Sequence, residues 1–343
     1  MFSGFAKVSP EEHLEIKVDI LVQEQLENVV AKRMSNDLLK RKVRRALFII
    51  SFTILPVASF LLFYVYVNLD AFIMAFQKPE GGKLVWAGLE NFKWVFKNIK
   101  DPSTTDSENL RLAFVNTFKS FGVHMLMYPI GIINAYFVYK KIWGYKAFRV
   151  IFYLPSIVSS VIVSMFFTEL MSPSGFFPGF LTKLCNLDYT LYNPLLDSKF
   201  ANPMVFLHMV WLGFPGNLII WGGTFSRIPD SLIESARLDG VGWVKELVFI
   251  IVPLVWPTFA LTLTLTVCGI FGSTGAVFLL TAGKYGTQTV SNWMYMNILN
   301  ASKPQAKPLY RISAMGLMLT IVSCALAFTV RKFLASRISE VQY

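Results

Sequence analysis

Six long apolar runs dominate the chain, at residues 46–69, 112–139, 147–170, 203–225, 253–282 and 312–330. A helix needs about 20 apolar residues to cross the hydrocarbon of a bilayer, and each run is of that order or longer. Lys119 is the only basic side chain inside any run, away from its ends. The runs do not alternate apolar and polar positions, as strands of a barrel would. In lipid the remaining way to satisfy every backbone group within one segment is the α-helix. The pattern predicts an all-α membrane protein with six transmembrane helices.

Composition agrees. Hydrophobic residues make up 54% and charged residues 15%, against about 25% charge in soluble domains. Mean hydropathy is +0.51. These values exclude a disordered chain, a collagen-like fibre and a disulfide-stapled secreted domain. The net charge of +11 changes meaning once it is located. Seven Lys or Arg residues precede the first run between Lys32 and Arg45, and four follow the second (Lys140, Lys141, Lys146, Arg149). Three follow the fourth (Arg227, Arg237, Lys245), and three lie in the tail (Arg331, Lys332, Arg337). The alternate loops hold twelve, spread over more sequence and partly balanced by acids. Positive charge marks the cytoplasmic side, so both termini are expected there, with no role in nucleic-acid binding.

Three parts follow from this. Residues 1–45 form a cytoplasmic tail, residues 46–335 a six-helix domain, and residues 336–343 a second cytoplasmic tail. The first tail is not a signal peptide, because acids and bases mix through it. Between residues 11 and 27, Leu14, Val18, Leu21, Val22 and Leu26 recur at helical spacing among acids, as in an amphipathic helix; a partly ordered tail fits equally. The loop at 70–111 carries Gly88-Leu89-Glu90-Asn91-Phe92, then Trp94 and Phe96, aromatic rings suited to a membrane interface. Cys185, Cys268 and Cys324 are far apart and have no metal-ligand spacing.

The most informative stretch is 225–257, FSRIPDSLIESARLDGVGWVKELVFIIVPLVWP. Pro229 stops the fourth run. Ser231 and Glu234 have the spacing of a capping box, opening a helix of about two turns over 232–239. Gly240 ends it, where a left-handed residue is cheapest. A second short helix climbs from Trp243 towards Pro253, which opens the fifth run. A two-turn helix is unstable alone in water, and Leu232, Ile233 and Ala236 offer it an apolar face. Two readings fit: a helix that docks on a partner, or one that rests on lipid headgroups.

The same stretch resembles the signature loop of the permease subunits of binding-protein-dependent ABC importers. That loop reads E-A-A, three residues, Gly, nine residues, then I-x-L-P. Here Glu234-Ser235-Ala236, Gly240 and Ile250-Ile251-Val252-Pro253 keep the spacing, with Ser235 and Val252 as departures. Over about 46–335 the chain is similar to the carbohydrate branch, of maltose and glycerol-phosphate type. The supporting residues are the GLENF segment, Asn116-Thr117, Tyr153-Leu154-Pro155-Ser156 with Ser159, Ile228-Pro229 and Thr281-Ala282-Gly283. The turn TAGKYGTQT and the long tail depart from it.

The resemblance implies a non-catalytic inner-membrane subunit, multi-pass, forming half of a pore with a second homologous permease. Two copies of a cytoplasmic ATPase would bind ATP and Mg, and an extracytoplasmic solute-binding protein would deliver a carbohydrate, of oligosaccharide size. The loop 227–253 would hold the coupling helix between the fourth and fifth spans, with Ser231, Glu234, Ser235, Ala236, Asp239, Gly240 and Pro253 serving the ATPase contact. This chain has no cofactor or metal site of its own and no P-loop; Gly283-Lys284 lacks the upstream glycine.

Candidates for the solute path are polar and aromatic residues interrupting the spans: His208, Trp211, Asn217 and Trp221 in the fourth, Ser273 and Thr274 in the fifth. Ordinary packing between membrane helices explains each of them as well, and His124 reads as a hydrogen-bonded packing residue. An ion-coupled secondary transporter or channel would want an acidic relay in the span interiors, and there is none. An intramembrane protease would want a serine where Gly272-Ser273-Thr274-Gly275 has Thr274, and a histidine downstream of it, whereas both membrane histidines lie upstream.

Overall fold

The computed structural model describes residues 40–100, 105–185, 193–272, 275–300 and 307–336. The amphipathic segment at 11–27 and the tail 337–343 lie outside them, as do Ser273 and Thr274. Five helices are long and apolar enough to cross a membrane, or six if one bent pair counts as a single span. The chain divides into two compact units, Met1–Ala71 and Phe72–Tyr343. The first span is the helix α1, Lys40–Ala75. It runs through a π-helical stretch, Phe60–Tyr66, and takes in the basic cluster at 40–45.

In the second unit a two-stranded hairpin precedes the next span, an element the apolar pattern does not predict. β1 (Gln77–Glu80) pairs antiparallel with β2 (Lys83–Trp86) across Gly81-Gly82. Both glycines have positive φ, as a two-residue hairpin turn requires. The helix α2 (Glu90–Lys100) follows. Its buried Asn91 donates both side-chain protons to the backbone, to Ala75 O at 2.9 Å and Gln77 O at 2.8 Å. That clamp explains the asparagine of the GLENF segment. Lys78 bonds Glu90 at 2.9 Å. That hydrogen bond, then the charges of Glu80 and Glu90, raises its pKa above the ordinary lysine value.

The second span is α3, Thr105–Tyr139. The third is broken into α4 (Tyr145–Ile157) and α5 (Ser160–Leu170), which meet at 105°. α4 runs on past Pro155, and the break comes where Val158 and Ser159 turn extended. The short α6 (Phe176–Cys185) precedes the fourth span, α7 (Ala201–Phe225). Between the fourth and fifth spans stands α8, Asp230–Leu238.

The fifth span departs from the expected 253–282. It is α9, Trp243–Cys268, continuous through Pro253 because the turns ahead of the proline widen to a π-helix over Glu246–Ile251. It stops at Gly269. Glycines at 269, 272 and 275 make further helix costly, and α10 (Gly275–Thr281) starts anew. Then come α11 (Val290–Leu299) and the last span, α12 (Lys307–Ala335).

Besides a cluster of Phe167, Val205 and Val277 that joins α5, α7 and α10, two clusters anchor this unit. One joins α3, α7, α8 and α9 through Tyr136, Trp221, Phe225, Ile233, Leu247 and Ile251. The other joins α2, α3, α11 and α12 through Val95, Leu110, Val290, Trp293 and Met315. The turn between α10 and α11 holds four residues at positive φ, Ala282, Gly283, Tyr285 and Gly286. Asn116 of α3 donates to Gly286 O at 2.7 Å and Gln288 O at 3.0 Å. Asn202 of α7 donates to Gly286 O at 2.9 Å, and Val290 N donates to Thr117 Oγ1 at 3.0 Å. The Asn116-Thr117 pair therefore holds a turn that its own backbone would not favour.

Candidate functional site

Helices α3, α7 and α9 and the glycine turn after α9 enclose a cavity of about 570 Å³. Phe121 and His124 line it from α3, His208, Met209, Leu212 and Gly213 from α7, and Thr266 from α9. Gly269, Ile270, Gly272, Gly275 and Ala276 close one end. A second cavity of about 330 Å³ shares His124, Met209, Gly213 and Thr266 and runs on towards Tyr128 and Thr262. The glycines leave room where side chains would fill it. A methyl group at Gly213 would touch only the Met127 side chain, at 3.6 Å.

The polar groups on this cavity are few and oriented. His208 is fully buried, with Nε2 3.1 Å from Ser164 Oγ and the Phe167 ring edge-on at 5.0 Å. Its Nδ1 has no hydrogen-bond partner among the described residues. His124 Nδ1 lies 2.9 Å from Ser120 O. A carbonyl only accepts, so this nitrogen carries the proton and a neutral ring keeps Nε2 as an acceptor. Thr266 Oγ1 donates to Thr262 O at 3.1 Å, so in its 2.5 Å contact with Tyr128 the phenol is the donor. Histidine nitrogens, a threonine oxygen and apolar walls in one cavity suit a neutral, hydroxyl-bearing solute.

At the other end, α8 presents a second feature. Ile233 and Ala236 are buried against the chain itself, whereas Leu232, Glu234 and Ser235 are exposed and Leu238 is 89% exposed. Of the three apolar residues expected to await a partner, Ile233 and Ala236 are thus already used, while Leu232 stays exposed together with Leu238. There is no capping box. The N-cap is Pro229, without a side-chain cap. Ser231 lies inside the helix, its carbonyl accepting from Ser235 Oγ at 2.8 Å. The exit matches expectation: Gly240 has φ +69°. Gly240 N donates to Arg237 O at 3.1 Å and Val241 N to Ala236 O at 3.0 Å. These two bonds make a Schellman motif, with Asp239 as the C-cap.

Residues 127–340 match the family of binding-protein-dependent transport system inner membrane components. The chain belongs to this family. It is a transport family rather than a catalytic one. The arabinooligosaccharides transport system permease protein AraP of Bacillus subtilis (strain 168) is 23% identical over 227 residues, 64% of this permease and 67% of the relative. The sn-glycerol-3-phosphate transport system permease protein UgpA of Pectobacterium atrosepticum is 25% identical over 206 residues, 60% of this permease and 66% of the relative. Among solved structures, a chain of a bacterial alginate ABC transporter, in complex with alginate pentasaccharide-bound periplasmic protein, superposes with TM-score 0.70. It is 21% identical and covers 86% of this permease and 96% of that chain, a likeness of fold.

Within the permease the six solute-path candidates separate. His208 is on the main cavity. Trp211 lines a different, apolar cavity of about 410 Å³ with Phe152, Phe167 and Phe214. Trp221 is fully buried between Tyr128 and Phe259 in the core. Asn217 is on α7, and Ser273 and Thr274 lie outside the described residues, between the cavity-lining Gly272 and Gly275. Met209, Gly213, Tyr128 and Thr266 were not anticipated. The one available signal was the threonine series of the fifth span, with Thr258, Thr262 and Thr266 at helical spacing.

Proposed function

We propose that this inner-membrane component forms half of the translocation pore of an ATP-driven importer for a carbohydrate, oligosaccharide in size. Its termini are cytoplasmic. A second homologous permease supplies the other half, two copies of a cytoplasmic ATPase bind the ATP and Mg, and an extracytoplasmic binding protein delivers the solute. In this reading α8 is the coupling helix. The observation that carries it is the form of α8: a short helix rooted in the core by Ile233 and Ala236, with Glu234 and Leu238 left exposed and a Schellman exit at Gly240. Such an element can take up a push and pass it on. The carbohydrate assignment is supported by the names of the relatives and by the cavity's neutral polar groups among apolar walls.

The test is to tag the chain, extract it from its native membrane in mild detergent and identify what accompanies it. A second six-span permease together with a P-loop ATPase is the expected outcome. Repeated recovery of the chain without an ATPase would return α8 to an interfacial helix.

A further inference from the structure

The ion pair between Lys140 and Glu246 is buried, and it joins the elements next to α8. Glu246 is 3% exposed and Lys140 15%, with Nζ 2.5 Å from Oε1. The approach is off the hydrogen-bond axis, since Oε1 has no aligned donor among the described residues. Lys140 directly follows α3, and its ammonium also stands 5.6 Å from the Tyr136 ring. Glu246 lies in the first turns of α9, where it opens the π-helical stretch. Three residues before it, the Trp243 ring meets Phe137 of α3 at 5.4 Å.

A carboxylate taken out of water is costly, and an apolar pair of similar volume would stabilise the fold as well or better. Stability alone therefore does not account for charge at this position. Its place does. The chain leaves α8 through Gly240, Val241 and Gly242 and enters α9 at Trp243, so a displacement of α8 arrives first at the turn that holds Glu246. Farther along, α3 and α9 are also joined by Tyr128 and Thr266, on the cavity wall.

We propose that Lys140 and Glu246 are positioning residues of the transport cycle. They lock the end of α3 to the start of α9, so that both cavity walls move as one body when α8 is displaced. This rests on the reading of α8 as the coupling helix.

The test uses the complex isolated with its companion chains, with Cys185, Cys268 and Cys324 replaced by Ser. Spin labels at Ile133→Cys of α3 and Phe249→Cys of α9, both exposed, report the separation of the two helices before and after trapping with ATP, Mg and vanadate. A second pair, at Arg237→Cys of α8 and Ile321→Cys of α12, both exposed, reports displacement of α8. In the otherwise unaltered complex the first distance should stay constant while the second changes. In Glu246→Gln the first should shift by roughly 2 Å or more, the scale of helix shifts in switching proteins. The exchange Lys140→Glu with Glu246→Lys should restore it. If Glu246→Gln fails to insert, Lys140→Met with Glu246→Leu replaces it, a change buried pairs tolerate, and the same shift is expected. A constant first distance in these charge-removed variants, or no rescue by the exchange, overturns the proposal while leaving the reading of α8 intact. No movement of α8 on trapping sinks both.

Discussion

Gly213 and Asn116 show how much single positions contribute in a membrane-embedded chain. Gly213 is an absence that makes space. Its missing side chain leaves the cavity open beside Met127, so Gly213→Ala should be tolerated and Gly213→Phe should fill the site. The expected result for Gly213→Phe is at least a tenfold fall in carbohydrate uptake by membrane vesicles, with unchanged amounts of inserted chain. Asn116 is the converse, a side chain that satisfies two carbonyls of a strained turn. Asn116→Ala takes the donor from part-buried Gln288 O and leaves Gly286 O with Asn202 alone, a cost of about 1–3 kcal/mol for the one acceptor left unsatisfied. Thermal denaturation in detergent should show it several degrees below the parent, and an unchanged melting temperature would remove Asn116 from this role. Asn116 was legible in the sequence as one half of a motif, but not the partner it holds, which is 170 residues away. Trp221 stands in the core, and Trp211 on an apolar cavity of its own. Residue type alone cannot tell a ring on the solute path from one in the core, and α7 is apolar on every side.

Elements were legible where local chemistry decides them. The Gly240 exit followed from the backbone freedom of glycine, and it carries the sharpest prediction at this scale. A Cβ at Gly240 would meet nothing within 4 Å, so any penalty for Gly240→Val comes from the left-handed backbone, about 1–2 kcal/mol. Membrane insertion should be retained and ATP-driven uptake lost; Gly240→Asn should keep more of it, because asparagine tolerates that conformation. Normal uptake by Gly240→Val would count against α8 as the coupling element. Elsewhere competing local effects won. A capping box needs its serine ahead of the first turn, and the helix instead begins two residues earlier, behind Pro229. The third apolar run gave no warning of a bend, since hydropathy is blind to backbone turning extended at Val158 and Ser159. Three glycines ended the fifth span early although the run stayed apolar.

For the whole molecule, hydropathy carried most of the architecture, because lipid leaves a chain so few options, while the placement of Lys and Arg sets the orientation expected of it. The same charges predict that removing residues 1–30 keeps the topology, since the cluster from Lys32 to Arg45 remains. Protease should then still cut the loop at 70–111 from the outside of intact cells; protection of that loop would refute the orientation. The pairing of helices was not legible, because Tyr128 with Thr266 and Lys140 with Glu246 depend on tertiary proximity that one sequence does not reveal.

The clamp on the turn at 282–286 also sets an order of events at the ribosome. Asn116 and Thr117 emerge 170 and 173 residues ahead of Gly286 and Val290. At about 5–20 residues per second, their partners follow after roughly 10–30 s. Through that interval the nascent second span carries an amide whose acceptors do not yet exist, and a hydroxyl that donates to Ala113 O within its own helix but still lacks the Val290 amide it will accept from. The closing of this unit is thus a late step of biogenesis, and a chain truncated before residue 286 would leave the membrane with helices it cannot fasten.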